Sequence, residues 1–190
     1  MPLSLQQLKT IEQRLLWLAA WTVHNANHLR EKADDDVKVG GHQASCASMV
    51  SIMTALYFSV LRPEDRVAVK PHAAPVFHAM HYLMGTQTRE KLENFRGYGG
   101  AQSYPSRTKD IDDVDFSTGS VGLGVAETAF ASIIQDYLIA RPWTDFGSGK
   151  RPAGRMVALV GDAELDEGNV YECLQEGWKH GLRNTWWIID

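Results

Sequence analysis

The stretch "VALVGDAELDEG", Val157 to Gly168, carries an apolar run straight into four carboxylates, Asp162, Glu164, Asp166 and Glu167. Two chemistries suit that pattern. A hard divalent cation takes carboxylate, carbonyl and water oxygens, and magnesium commonly borrows further oxygens from substrate phosphates, so Asp162 would be one member of a ligand set. Alternatively, a helix starts here, and acids in its first turn gain about 0.3–1 kcal/mol from the helix dipole. A second stretch, "STGSVGLG" (Ser117–Gly124), is a natural partner for the first. Gly119, Gly122 and Gly124 let backbone amides approach a ligand, and a helix beginning there points its N-terminus at the same place. Small residues also serve tight helix packing, and the spacing is not the G-x-G-x-x-G dinucleotide fingerprint, so a nicotinamide cofactor is set aside.

Seven histidines offer proton chemistry or metal ligation. His24 and His28 stand four apart on a helical stretch, a spacing that could hold zinc, yet "HNANH" lacks the glutamate of the zinc-protease motif. These two, and likewise His78 and His81, read as half-exposed helix histidines. His42 differs because it follows two glycines at the mouth of a helix. His72 follows a strand and Pro71 in "VKPHAAP", where a side chain would project over a sheet edge.

These residues need elements to position them. Ser4 with Gln7 fits a capping box, and Leu8, Ile11, Leu15 and Leu18 then make an apolar helical stripe. Trp17 and Trp21 lie a turn apart on a neighbouring face, which implies packing against something large. The acids Asp34 to Asp36 read as a solvated loop. A buried helix from the Gly40-Gly41 turn to about Val60 follows, then a strand in "RVAVK" (Arg66–Lys70). Next come a helix with Pro75 in its first turn and Gly85 as its stop, and a polar helix in "TREKLENFR". The Gly-, Ser- and Asp-rich stretch 97–115 is a long loop of the kind that carries function or lacks order. The glycine turn leads into a helix of about five turns. After a loop around Pro142 to Pro152, "RMVALVG" is a strand, "AELDEGNVYECLQEGWKHG" a helix and "NTWWIID" a strand, with Trp186 and Trp187 expected to be covered. Apolar strands alternating with helices predict an α/β fold: a mostly parallel, doubly wound sheet with helices on both faces. Ligands of such sheets bind at the carboxyl ends of strands, where Asp162 falls.

Bulk properties narrow the function. A 190-residue chain with 44% hydrophobic residues and net charge −4 is ordinary globular material with no electrostatic footprint for nucleic acid. Cys46 and Cys173 have no paired spacing and read as free thiols. The polar N-terminus lacks a secretory core, and no stretch is read as approaching the roughly eighteen apolar residues of a membrane span. Cytoplasm is the expected location, with no membrane partner.

In order, "GGHQAS" (Gly40–Ser45), "KPHAAP" (Lys70–Pro75), "LENFRGYGG" with "SYP" (Leu92–Pro105), "STGSVGLG" and "GDAELDEG" resemble the pyrophosphate-binding domain of thiamin diphosphate enzymes of the transketolase superfamily. Transketolase and the homodimeric decarboxylating component of bacterial pyruvate dehydrogenase are the nearest types, over about Ile11 to Asp190. The resemblance implies thiamin diphosphate and magnesium as cofactors. It makes Asp162 the metal ligand in a Gly161-Asp162-Ala163 turn, with Glu164 following. Gly119, Ser120, Val121 and Gly122 would lie along the cofactor, and Ser45 would contact it. His42 and His72 would face the diphosphate and the reacting carbon, moving protons or binding oxyanions. The implied reaction cleaves a C–C bond next to the carbonyl of a 2-oxo acid or ketose and transfers a two-carbon unit.

Three departures are visible. Ala163 replaces a glycine, and its methyl requires a negative φ. "SYP" (Ser103–Pro105) replaces the Gly-His-Pro of transketolases and matches the pyruvate dehydrogenase pattern. The asparagine that completes the family's metal site would fall beyond Asp190, as would the pyrimidine-binding domain. The expected organisation is therefore an N-terminal helical arm (1–36) and a partial pyrophosphate domain (37–190). Such a segment of a larger enzyme would be inactive alone, with a homodimer or a complementary chain supplying the remainder. A non-catalytic partner subunit is the alternative, and a domain binding another nucleotide is a third.

Overall fold

The structure, a computed structural model, describes residues 2–31, 38–141 and 152–190. Asp34 to Asp36 and most of the loop after Pro142 lie outside the described residues. The chain divides into two compact units, Met1–Leu61 with Pro71–Val114, and Arg62–Lys70 with Asp115–Asp190.

The first unit is helical. Helix α1 (Leu5–His24) starts as its sequence dictates: Ser4 Oγ accepts from the Gln7 amide at 3.3 Å, and Gln7 Oε1 accepts from the Ser4 amide at 2.8 Å. Its buried face is Leu15, Ala19, Thr22 and Val23, packed on α2 (Gln43–Ala55) and α3 (Ala74–Met84). Trp17 and Trp21 stack at 6.2 Å, but Trp17 stays 62% exposed, so nothing large covers it in the described chain. Helix α2 runs on as a π turn, Leu56–Val60. Together they form an 18-residue stretch, Gln43–Val60, long and apolar enough to meet the length and composition of a membrane span, contrary to the sequence reading. The apolarity has a local use, because Cys46, Met49, Val50, Met53 and Leu56 make one buried stripe. Helix α3 carries Pro75 in its first turn and ends at Gly85, whose φ of 82° only glycine adopts freely. Helix α4 (Arg89–Glu93) is capped by Thr88, whose Oγ1 accepts from the Lys91 amide.

The 97–115 stretch is irregular, as expected, but tightly held. His78, fully buried rather than half-exposed, bonds Asp112 through Nδ1 and donates from Nε2 to the Gln102 carbonyl at 3.0 Å. Gln87 Nε2 donates to Asp112 at 2.9 Å, and Asp110 accepts from the amides of Gln102 and Ser106. Buried side chains thus satisfy backbone groups that no ladder reaches.

The second unit is an α/β layer with a parallel sheet, the class expected. Strands β1 (Arg66–Ala68), β2 (Met156–Val160) and β3 (Thr185–Ile189) pair in that order. All five residues of β2 are buried, as a central parallel strand requires. Helix α5 (Leu123–Ile139) is the last helix before β2, and α6 (Gly168–Lys179) links β2 to β3. The two helices pack on each other and, with the strands, enclose Ala68, Val125, Ala158, Val160 and Val170. A methyl on Gly124 would lie 3.0 Å from the Ala68 Cβ, so the glycine sets how closely α5 approaches β1. Strand β3 lies at the edge of the described sheet, and Trp186 is 39% exposed instead of covered, with the Arg155 guanidinium 4.2 Å above its ring.

The segment after β2 is not one helix. Asp162–Asp166 is a 3-10 turn, Glu167 is extended (φ −73°, ψ 129°), and α6 begins at Gly168. Asp162, Glu164 and Asp166 therefore do not occupy the first turn of a long helix, and Glu167 caps α6 without a side-chain bond.

Two predictions follow from this packing. The Asp65 side chain is fully buried, accepting from the Arg155 amide at 2.7 Å, from Arg155 Nε at 3.0 Å and from the Arg62 amide at 2.8 Å. Burial pushes its carboxyl up, but the bonds from Arg155 and Arg62 outweigh this and hold it well below the usual carboxylate range. A depressed folded-state value means the contribution is complete above the unfolded value near 4 and is lost as pH falls below it. Asp65→Asn should cost about 3–5 kcal/mol at neutral pH in denaturant unfolding, with the gap to wild type narrowing on acidification below about pH 4. Gly122 has φ of 78°, and a methyl there would lie 2.7 Å from Asn169 Oδ1 and 2.9 Å from Val170 Cγ2. Gly122→Ala should destabilise by about 1–3 kcal/mol in thermal melts, whereas Gly168→Ala, with open space around it, should be near neutral.

Candidate functional site

In the second unit the carboxyl ends of the strands gather polar groups. The Asp190 amide donates to Val160 O at 2.9 Å and the Asp162 amide to Asp190 O at 3.0 Å, so β2 and β3 stay zipped past their last residues. Asp162 itself is exposed, one oxygen accepting from the Ala163 amide at 2.8 Å. Ala163 lies within the 3-10 turn, and Arg96 is the one described non-glycine with positive φ, so the methyl sits in the negative-φ region it needs.

Glu164 is only 7% exposed. Its Oε2 accepts from the Gly161 amide at 2.6 Å and its Oε1 from the Gly122 amide at 3.1 Å. The turn bearing Asp162 and the glycine turn, paired in the sequence reading, are therefore tied together through one carboxylate. Both Glu164 oxygens are taken by backbone donors. Thr118 Oγ1 donates to Val69 O at 2.6 Å and anchors the glycine turn to the end of β1. Lys70, just past β1, pairs with Asp190 at 2.6 Å, both side chains about nine-tenths buried. A methyl on Gly161 would lie 3.0 Å from Lys70 Cε, so that position takes glycine. Gly119 and Ser120 are exposed and Val121 half-buried, immediately before the N-terminus of α5. An exposed carboxylate beside an exposed glycine turn and a helix N-terminus suits an anion carried with a cation.

In the first unit His42 and His72 come together, ring centroids 4.1 Å apart. His42 is exposed at the N-cap of α2 and makes no side-chain cap bond; His72 is half-buried in the 3-10 turn Pro71–Ala73. Cys46 Sγ donates to the His72 carbonyl at 3.5 Å, and Ser45, half-buried in the first turn of α2, accepts from Ser48 Oγ through its own carbonyl. Tyr104 of the "SYP" stretch lies 6.3 Å from His72, and the Arg96 guanidinium lies 5.9 Å from the Tyr104 ring. Arg96 has φ of 62° and donates to Val39 O at 3.0 Å beside Gly40, where a methyl would come within 2.7 Å of its Nη1. Residue-by-residue reading passed over Arg96 and Tyr104. Their signal was only the company they keep in two short loop motifs.

The remaining histidines sort differently. His24 and His28 are exposed, their rings 4.9 Å apart, with no third ligand beside them among the described residues. The described residues do cluster His78, Asp110 and Asp112, but both nitrogens and all four carboxylate oxygens already carry hydrogen bonds. His81 is buried, and burial holds its imidazole below the usual range despite the opposing charge of Asp112.

Comparison with known proteins identifies the family. Residues 5–186 match the family model described as 1-deoxy-D-xylulose-5-phosphate synthase. The pyruvate dehydrogenase E1 component of Cupriavidus necator is 29% identical over 189 residues, covering 95% of this chain and 20% of that protein. Transketolase-like protein 2 of Mus musculus is 30% identical over 161 residues, 79% of this chain and 24% of that one. In three dimensions the chain is similar to transketolase from Leishmania mexicana, with a TM-score of 0.80 at 21% identity, over 100% of this chain and 28% of that one. It thus spans about a fifth to a quarter of these relatives' length. By that family match along nearly its whole length, the chain belongs to the 1-deoxy-D-xylulose-5-phosphate synthase family, as an N-terminal segment of the thiamin diphosphate-dependent transketolase type.

Proposed function

We propose that this chain is the diphosphate- and magnesium-binding segment of an enzyme that cleaves a C–C bond next to a carbonyl and transfers a two-carbon unit. The observation that carries this reading is the Glu164-bridged pair of turns, which sets exposed Asp162 and the Gly119–Gly122 turn in one unit. The donor set fits the group. A single free carboxylate at a strand end is what magnesium takes from a protein when phosphate oxygens and waters fill its other positions. The glycine turn before α5 offers backbone amides and the positive end of a helix to an anion. When bound, thiamin diphosphate supplies the carbon nucleophile and electron sink for the bond cleavage.

The chain's own residues take simpler parts. Asp162 holds the metal, and Gly161, with no side chain, keeps the strand exit open beside it. His42 and His72, assigned to proton movement and oxyanion binding, stand as a pair with ring centroids 4.1 Å apart. Tyr104, in place of a histidine in that loop, favours a 2-oxo acid over a sugar phosphate as carbonyl donor. The active form is a homodimer or an assembly with a complementary chain, and this segment alone is inactive.

The test is fluorescence titration of the chain's six tryptophans with thiamin diphosphate. Saturation should require magnesium, and Asp162→Ala should weaken it at least about tenfold, the lower end for groups supporting a bound metal. Quenching by thiamin diphosphate that ignores both magnesium and Asp162, or that ATP reproduces, would overturn the assignment.

A further inference from the structure

Glu164 presents a problem that the cofactor reading alone does not solve. It is a carboxylate, only 7% exposed, beside a place proposed to receive an anion. A buried negative charge there would repel a diphosphate unless something neutralised it. The two backbone donors offset part of that cost: the Gly161 and Gly122 amides donate to it at 2.6 and 3.1 Å. Lys70, its charge paired with Asp190, packs its Cε 3.0 Å from the point where a Gly161 Cβ would stand. Gly122 is shaped for the contact, since it presents its amide with φ of 78°.

We propose that Glu164 is a positioning residue, resting on the cofactor reading above. It does not touch the cofactor. It clamps the Gly161 and Gly122 amides, so the Asp162 turn and the glycine turn are held in one preassembled cradle before any ligand arrives. Preassembly raises affinity because the ordering is already done. Glutamine cannot substitute, since its amide nitrogen would face a backbone N–H with no acceptor between them. Aspartate, one methylene shorter, can reach only one of the two amides.

The experiment compares wild type, Glu164→Gln and Glu164→Asp in the full chain, with circular dichroism confirming the fold. Amide proton resonances of Gly122 and Gly161 report the clamp without any cofactor, and tryptophan quenching reports thiamin diphosphate affinity with magnesium. One of the two resonances should move upfield in each variant, because Gln keeps one carbonyl acceptor and Asp reaches only one amide. Affinity should fall at least about tenfold in both variants, the cost of one buried donor left unmet. Unchanged resonances overturn the clamp itself. Shifted resonances with unchanged affinity overturn the positioning role, leaving a purely structural bond. A wild-type chain whose resonances report the clamp but which binds no thiamin diphosphate overturns the cofactor reading and this role with it.

Discussion

A parallel sheet delivers the carboxyl ends of all its strands to one edge, where the hydrogen-bond ladder stops and the peptide groups beyond it need partners. Here that constraint organises the whole second unit. Thr118 answers the Val69 carbonyl, Lys70 and Asp190 pair across the ends of β1 and β3, and Glu164 collects the amides of Gly161 and Gly122. Each of these contacts is largely buried, whereas Asp162, directly at the strand exit, is turned outward. The edge that has to be satisfied for the fold to close is therefore the same edge that exposes Asp162.

The acidic run after β2 shows how burial sorts identical chemistry into different roles. Glu164 is enclosed and bonded, while Asp162, Asp166 and Glu167 are exposed. The histidines divide in the same way. His78 disappears into a buried knot with Asp112, Gln87 and the Gln102 carbonyl, which holds an otherwise irregular segment in place. His42 and His72 keep accessible rings and meet each other. A shared residue type says little until its surroundings decide whether its lone pairs are already spent.

Features that depend on neighbours within a turn or two were readable in advance. The Ser4–Gln7 box, Pro75 and Gly85 around α3, the glycine turn before α5 and the aspartate at the exit of β2 are all of this kind. What was misjudged depends on partners far along the chain. Ala163 to Gly181 carries good helix formers, yet it breaks at Glu167 after Glu164 turns back to Gly161. His78 looked like a surface histidine because its partner Asp112 lies 34 residues away. Trp186 looked like core, but β3 pairs on one side only in the described sheet, and Arg155 covers one face of its ring. The motif order pointed to the family and to the "SYP" departure, whereas the placement of Tyr104 beside His72 and Arg96 emerged only from the folded loop.

By itself the amino-acid order determined where helices and strands begin, which faces are apolar and which short motifs stand at strand ends, because those follow from backbone geometry and side-chain periodicity. Tertiary structure decided which carboxylate is a buried brace and which is left exposed, and which histidines are buried and which are paired. Those outcomes depend on desolvation and on donors brought from distant positions, and a hydrogen bond between residues 42 apart, such as Gly122 to Glu164, leaves no mark on local pattern.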